Sequence, residues 1–309
     1  MPQTERLRPD QLKRAAQILH AGGRVAFATE TVYGLGANAL DNRAVASIYA
    51  AKERPSFNPL IVHVASLDAA QTIATFSQEA LQLASAFWPG PLTLVLPLKP
   101  LAKIAPLVTA GLDSIAIRVP GHRLALDLLH ETGLPIAAPS ANPSGKISPT
   151  TMDHVLAGLD EKIEAVLDGG PCAVGLESTI IGVTGAPTLL RPGGQSTESI
   201  EAVLRAPLGG YAGAINAPGQ MVSHYAPDAN LRLNVTQPEP HESYLGFGPG
   251  TATLNLSVSG DLLEAATNLF GHLHSLDQIG KPIAVAPIPH SGLGRAINDR
   301  LTRAAAPKS

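Results

Sequence analysis

The chain has 309 residues, 45% hydrophobic and 15% charged, with a formal net charge of −3 and a mean hydropathy of +0.13. That length holds about two domains and that much apolar side chain buries a sizeable core, which excludes a disordered or fibrous chain. The acidic balance predicts weak or no direct nucleic-acid binding, and a single cysteine, Cys172, excludes an internal disulfide.

No apolar run approaches the ~18 residues that a membrane-spanning helix requires. Residues 1–6 lead into an amphipathic stretch without the apolar core of a secretory signal, so a cytoplasmic chain is expected. In chain order, Leu12, Ala15, Ala16 and Leu19 recur at helical spacing and predict a helix over residues 10–20, stopped by Gly22-Gly23. A strand over 24–28 follows. The hydroxyls and glycines of Thr29-Glu30-Thr31-Val32-Tyr33-Gly34-Leu35-Gly36 then predict a loop that brings backbone close to a ligand. Val45, Ile48 and Tyr49 mark a second helix, which Pro55 ends near Arg54. A strand over 61–64, a helix over 79–87 and a strand over 92–96, entered through Pro89-Gly90-Pro91, continue an α/β alternation.

Residues 113–120 alternate with period two, so Ile115, Ile117 and Val119 share one face while Ser114, Ala116 and Arg118 share the other. A helix over 122–132, a strand over 136–138, a loop over 139–146 and strands over 165–167, 178–183 and 188–190 come next. From Pro207 to Pro227 the chain is rich in Gly and Pro, which predicts an interdomain linker. We therefore expect a larger α/β domain over 1–206, a linker over 207–228 and a small α/β domain over 229–309. In the last, strands are predicted over 244–247, 251–258 and 283–287, and helices over 262–273 and 293–305.

Several segments could carry chemistry. In Lys52-Glu53-Arg54-Pro55-Ser56-Phe57-Asn58-Pro59, two cations at a helix exit suit a phosphate clamp stiffened by prolines, although a helix C-terminus attracts cations through its macrodipole alone. Arg118 sits mid-strand between small residues, where it either reaches solvent or neutralises an anion in a cleft. His63, between Val62 and Val64, fits a hydrogen-bonded core histidine as well as a ligand contact. Ser140-Ala141-Asn142 directly follows a strand, where open α/β sheets hold ligands, and residues 175–179 and 191–194 repeat its mix of hydroxyl, cation and glycine. Glu30, Asp168 and Glu177 show no pairing, so no carboxylate dyad is expected. The phosphate loop GxxxxGK(S/T), the dinucleotide fingerprint GxGxxG and the nucleophile elbow GxSxG are all missing from the sequence.

As a set, Thr29-Glu30-Thr31-Val32-Tyr33-Gly34-Leu35, Lys52-Glu53-Arg54-Pro55, Trp88-Pro89-Gly90-Pro91-Leu92-Thr93, Ala116-Ile117-Arg118-Val119-Pro120 and Pro139-Ser140-Ala141-Asn142 resemble the YrdC-like family in order and spacing. Ser223-His224-Tyr225-Ala226-Pro227 and the segment from Gly292 to Arg300 are similar to the linker and second domain of its two-domain form. Glu53 is a departure, since many relatives have a small residue between the two cations. The resemblance implies a YrdC-like twisted open sheet with flanking helices, plus a small C-terminal Rossmann-like α/β domain. It also implies synthesis of L-threonylcarbamoyl-AMP and pyrophosphate from L-threonine, bicarbonate and ATP, with Mg2+ accompanying ATP. The product would pass to the machinery that threonylcarbamoylates adenosine 37 of tRNA.

By the same resemblance, Thr31, His63, Arg118, Ala138 and Ser178 line a threonine site. Arg54, Asn58, Ser114, Ser140, Ser148, Arg191 and Tyr225 would hold ATP, and Lys52 and Arg54 would form the catalytic basic cluster. No protein metal ligand is expected. Because a carbamate decomposes readily in water, the segment bearing Tyr225 is expected to cover the site. The alternatives are a YrdC-like module that binds RNA without adenylation chemistry, a carbamoyl-phosphate-dependent maturation factor, and a plain ATP hydrolase. The second needs CxxC pairs that this sequence lacks.

Overall fold

The computed structural model describes residues 3–210 and 224–307. The first part runs β1 (Glu5–Leu7), α1 (Leu12–His20), β2 (Val25–Phe27), β3 (Gly34–Asn38), α2 (Asn42–Lys52), β4 (Ile61–His63), α3 (Leu67–Ile73), α4 (Gln78–Phe87), β5 (Leu92–Pro97) and α5 (Pro106–Thr109). It continues with β6 (Ser114–Arg118), α6 (Arg123–Thr132), β7 (Ile136–Ala137), α7 (Met152–Leu159), β8 (Ala165–Leu167), β9 (Thr179–Gly182), β10 (Thr188–Arg191), α8 (Thr197–Leu204) and β11 (Gly209–Gly210). These strands form one mixed sheet in the order β1-β8-β2-β3-β7-β4-β6-β5-β9-β10-β11.

Successive residues of a strand face opposite sides, and the sheet sorts its side chains accordingly. Ala26, Ile115, Ile117 and Val166 enter a large core with α2, α4, α7 and α8, whereas Val25, Phe27, Ala165 and Leu167 pack on the other face against α1 and α6. That second helical layer spans β1 to β7. Beyond it, Ile61, Val95, Ala116, Ile180 and Leu190 form a small cluster that, among the described residues, is made of strand residues alone.

Gly34, Leu35 and Gly36 belong to β3 rather than to the predicted loop, because β3 pairs antiparallel with β2, Gly34 opposite Phe27 and Gly36 opposite Val25. A Cβ at Gly36 would lie 2.7 Å from Phe27 Cε1 and 2.8 Å from Ile136 Cγ2. Ring packing, not a turn, is what demands the glycine.

The second part comprises β12 (Leu231–Arg232), β13 (Ser243–Gly246), β14 (Leu254–Asn255), α9 (Leu262–Ile279), β15 (Ile283–Val285) and α10 (Gly294–Ala304). Its strands form a parallel sheet, β12-β15-β13-β14. β14 is far shorter than the predicted strand over 251–258, since Asn255 uses its side chain on Gly248 O and on the amide of Ser257 and so competes with the ladder. α9 outruns its predicted end at 273 because Leu276 extends the buried stripe, and Gly280 in a left-handed conformation caps it. Of the predicted linker, residues 211–223 lie outside the described residues. Gly209-Gly210 instead pair with β10.

The two sheets share apolar contacts, for Val32, Ile147, Leu176 and Tyr225 pack with Leu245, Leu256, Phe270 and Leu273. Gly175 has φ 72 and sits so close to α9 that a Cβ would lie 2.6 Å from Ala266 O, so no side chain is tolerated there. Nearby, His154 of α7 stacks on His274 of α9 at 3.9 Å. Among the described residues no helix is long and apolar enough to cross a membrane.

Candidate active site

Where the second helical layer stops, the chain forms a pocket between the ends of β2, β7 and β10 and the segment that carries His224 and Tyr225. One wall follows from sheet register. β4 and β6 pair in parallel with His63 opposite Arg118, and Ala138 joins them by donating its amide to Ile61 O at 2.9 Å. Arg118 donates from Nη1 to Thr31 Oγ1 at 2.9 Å and from Nε to Gly90 O at 3.1 Å. Its Nη2 lies 2.7 Å from Glu30 Oε1, close enough for an ion pair but misaligned for a hydrogen bond, so both groups keep unused bonding capacity. His63 is buried edge-on against Phe27 with Nδ1 unpartnered. Burial, reinforced by Arg118, pushes its pKa down to about 3, so the ring is neutral.

The other wall gathers cations. α2 ends at Lys52, and a left-handed Glu53 turns the chain so that Arg54 leaves the helix axis. Arg54 donates from Nη2 to Pro59 O at 3.1 Å while its buried Nε has no partner. Arg191 donates from Nε and Nη2 to Ser178 O at 3.2 and 2.8 Å, and Ser178 Oγ is 2.7 Å from Thr93 Oγ1. Burial lowers the pKa of Arg54 to about 10 and lowers that of Arg191 too, a desolvation that an anionic ligand would offset.

Glu177 stands on the same wall. Burial alone would raise its pKa, but Arg300 and Arg191 outweigh that, and Ser148 helps to hold it below the usual carboxylate range. Tyr225 has φ 62, a left-handed conformation unusual for an aromatic residue. Its ring is held at 4.0 Å from His224 and 5.7 Å from Phe270, while its buried hydroxyl is unpartnered. Burial raises the Tyr225 pKa and lowers that of His224 to about 3.

Comparison with known proteins gives the chain's family. Residues 17–193 match the Sua5/YciO/YrdC family, described as "Telomere recombination", and residues 195–306 match "Threonylcarbamoyl-AMP synthase, C-terminal domain". The threonylcarbamoyl-AMP synthase of Bacillus subtilis is 43% identical over 96% of this chain and 93% of its own, and that of Pyrococcus abyssi 40% identical over 97% and 95%. The crystal structure of P. abyssi Sua5 complexed with L-threonine superposes with a TM-score of 0.89 at 39% identity, covering 98% of this chain and 97% of that one. The chain belongs to the threonylcarbamoyl-AMP synthase family. Escherichia coli YciO, 21% identical with a TM-score of 0.56, shares the fold of the first part.

Of the residues expected at a threonylcarbamoyl-AMP synthase site, Thr31, Arg54, His63, Arg118, Ala138, Ser140, Ser178, Arg191 and Tyr225 line this pocket, whereas Lys52, Asn58, Ser114 and Ser148 do not. Lys52 lies beneath it, wholly buried, with Nζ donating to Ser140 O and Asn142 O, and so it props the 140–142 loop from behind. Burial, with Arg54 nearby, draws its pKa well below the usual lysine range. Asn58 is buried with both amide atoms unpartnered. Ser114 shares a strand face with Arg118 but sits at the other end of β6, roughly 13 Å away at ~3.3 Å per residue. Ser148 reaches the wall indirectly, by donating to Glu177.

Thr29 and Glu177, which fall in segments expected near a ligand but were given no role of their own, line the pocket too, as does His224. Glu30 and Glu177, for which the sequence offers no partner, each face an arginine rather than another carboxylate. The adjacency of Glu177 to Ser178 was the available signal. Its partner, Arg300, lies 123 residues further along the chain.

Proposed function

We propose that this pocket binds L-threonine and ATP side by side and joins them, with bicarbonate as the carbon source, into L-threonylcarbamoyl-AMP and pyrophosphate. The observation that carries the reading is that one pocket combines three buried arginines, Arg118 bonded to Thr31 on one wall and Arg54 and Arg191 on the other, in a chain that matches threonylcarbamoyl-AMP synthases over nearly its whole length. A guanidinium fork suits a carboxylate or a phosphate. Arg118 takes threonine's carboxylate, and Arg54 and Arg191 take the nucleotide's phosphates.

Threonine's nitrogen bonds to the bicarbonate carbon, with loss of water, to give an N-carboxylate. An oxygen of that carboxylate attacks the α-phosphorus, and the bond to pyrophosphate breaks. No protein nucleophile is required, and catalysis rests on positioning and on charge stabilisation by the arginines. Magnesium enters with ATP as part of the substrate; among the described residues no group of three or more His, Cys, Asp or Glu could hold a metal ion. Thr31, His63 and Ser178 offer partners for the threonine hydroxyl, the feature a site must hydrogen-bond to reject valine strongly. The buried, strained Tyr225 closes the nucleotide side against water. The product then passes to the machinery that modifies adenosine 37 of tRNA.

The test is pyrophosphate release from MgATP and bicarbonate, with and without L-threonine, with valine and serine as controls and mass spectrometry of the nucleotide product. Threonine-dependent release with the mass of threonylcarbamoyl-AMP is expected. Release that ignores threonine, or none, would overturn the reading.

A further inference from the structure

Arg300 reaches the site from the second sheet. It lies on α10, wholly buried, and does not itself line the pocket. Nε donates to Glu177 Oε2 at 2.8 Å and Nη1 to Asp299 Oδ2 at 2.6 Å, while the guanidinium carbon is 5.1 Å from the centre of the Tyr225 ring. The next turn adds a further hold, for Arg303 Nε donates to Asp299 Oδ1 at 3.0 Å and Arg303 O accepts the amide of His224 at 3.3 Å. One helix thus grips the carboxylate of Glu177, the ring of Tyr225 and the backbone of His224, all at the pocket wall.

A carboxylate in the wall of a pocket for a polyanion has to be neutralised. Left alone, Glu177 would repel the phosphates or draw the neighbouring cations onto itself. The groups that face it are Arg300 from α10, Arg191 from β10, Ser148 from the loop before α7, and His224 and Tyr225 from the segment after residue 223. Burial leaves His224 neutral, so the positive charge comes from the two arginines, and Arg300 supplies it through a charge-assisted hydrogen bond.

We infer that Arg300 is a positioning residue for the synthase reaction: it neutralises Glu177 and fixes Tyr225, so that the pocket presents net positive charge to the nucleotide. The second sheet is then part of the active site rather than an anchor for the segment that precedes it. This rests on reading the pocket as the ATP and threonine site.

The experiment compares the full-length wild type, Arg300→Met, Glu177→Gln and the double variant in threonine-dependent pyrophosphate release, with KM measured for each substrate. Arg300→Met is expected to raise KM for ATP at least about tenfold while KM for L-threonine moves less than about threefold. Adding Glu177→Gln to it should bring KM for ATP back to within about threefold of Glu177→Gln alone. An unchanged KM for ATP in Arg300→Met, or a double variant no better than that single one, overturns the proposal. A purely structural role would shift both KM values and the thermal midpoint together, and removing a second bonding group would not rescue it. Should Arg300→Met fail to fold, the double variant against Glu177→Gln decides, since a gap of about tenfold between those two overturns the proposal. Wild type that releases no pyrophosphate in response to threonine strikes the proposed function instead.

Discussion

The two walls of the pocket are built over different ranges of the chain. On the Arg118 wall, His63 and Arg118 meet because β4 and β6 pair in parallel, and β7 pairs with β4 on the other side. On the Arg191 wall, Glu177 depends on Arg300 and Tyr225 depends on Phe270, both from the second sheet. The first wall is complete once the large sheet has its register. The second needs two units to dock, so the parts of the proposed reaction that involve the nucleotide are coupled to that docking, whereas Arg118 and His63 on the threonine side are not.

The largest expected effect separates the walls. Arg118→Met should lower kcat/KM for L-threonine roughly 10²–10³-fold, as expected when a buried ion pair loses one partner at a loss of ~3–4 kcal/mol. ATP binding, followed by calorimetry, should change less than about threefold, and equal losses for both substrates would merge the two walls into one. Lys52→Met comes next. It removes two buried hydrogen bonds beneath the 140–142 loop, so a stability loss of roughly 2 kcal/mol should appear in the urea midpoint, with weaker ATP binding.

Acid sensitivity sharpens the comparison by placing one neutral histidine on each wall. His63 and His224 both have pKa values depressed from 6.5 to about 3, so the unfolded chain takes up their protons first. Their contribution to stability is complete above pH 6.5 and falls as the pH drops from there toward 3, by about 1.4 kcal/mol per unit for each ring. The urea midpoint should be flat above pH 7 and decline below 6.5, with a shallower decline in His63→Gln; a midpoint unchanged from pH 7 to 5 would contradict neutral rings. The smallest effect is that of Tyr225→Phe, which should raise KM for ATP roughly 2–10-fold through one lost hydrogen bond. Its thermal midpoint should hold, because the hydroxyl has no partner among the described residues.

Much of the Arg118 wall was legible because strand alternation and strand ends are local signals. Period two across residues 113–120 put Arg118 on the face opposite Ile115 and Ile117, and the structure buries those two in the large core. The loops after β2 and β7 stood out through their hydroxyls and prolines. Ser66, Thr151 and Ser196 do cap α3, α7 and α8, yet those helices have only seven or eight residues, too few turns to show a periodicity. The Glu177–Arg300 pair could not be read, since nothing in spacing announces a contact that spans two sheets. Lys52 misled for the opposite reason: its neighbours suggest a phosphate clamp, while the fold turns its ammonium onto two carbonyls of the protein itself.

The interval between Glu177 and Arg300 also has a meaning in time. A ribosome adding ~5–20 residues per second makes Arg300 roughly 6–25 s after Glu177. Each described strand of the large sheet has been synthesised well before then, since β11 ends at Gly210. During the wait Glu177 has Arg191 but not Arg300 to offset its burial, and the wall that carries it stays open to water. A nascent chain can therefore finish its scaffold without acquiring a working nucleotide site, and synthesis of α10 is the step that turns one into the other.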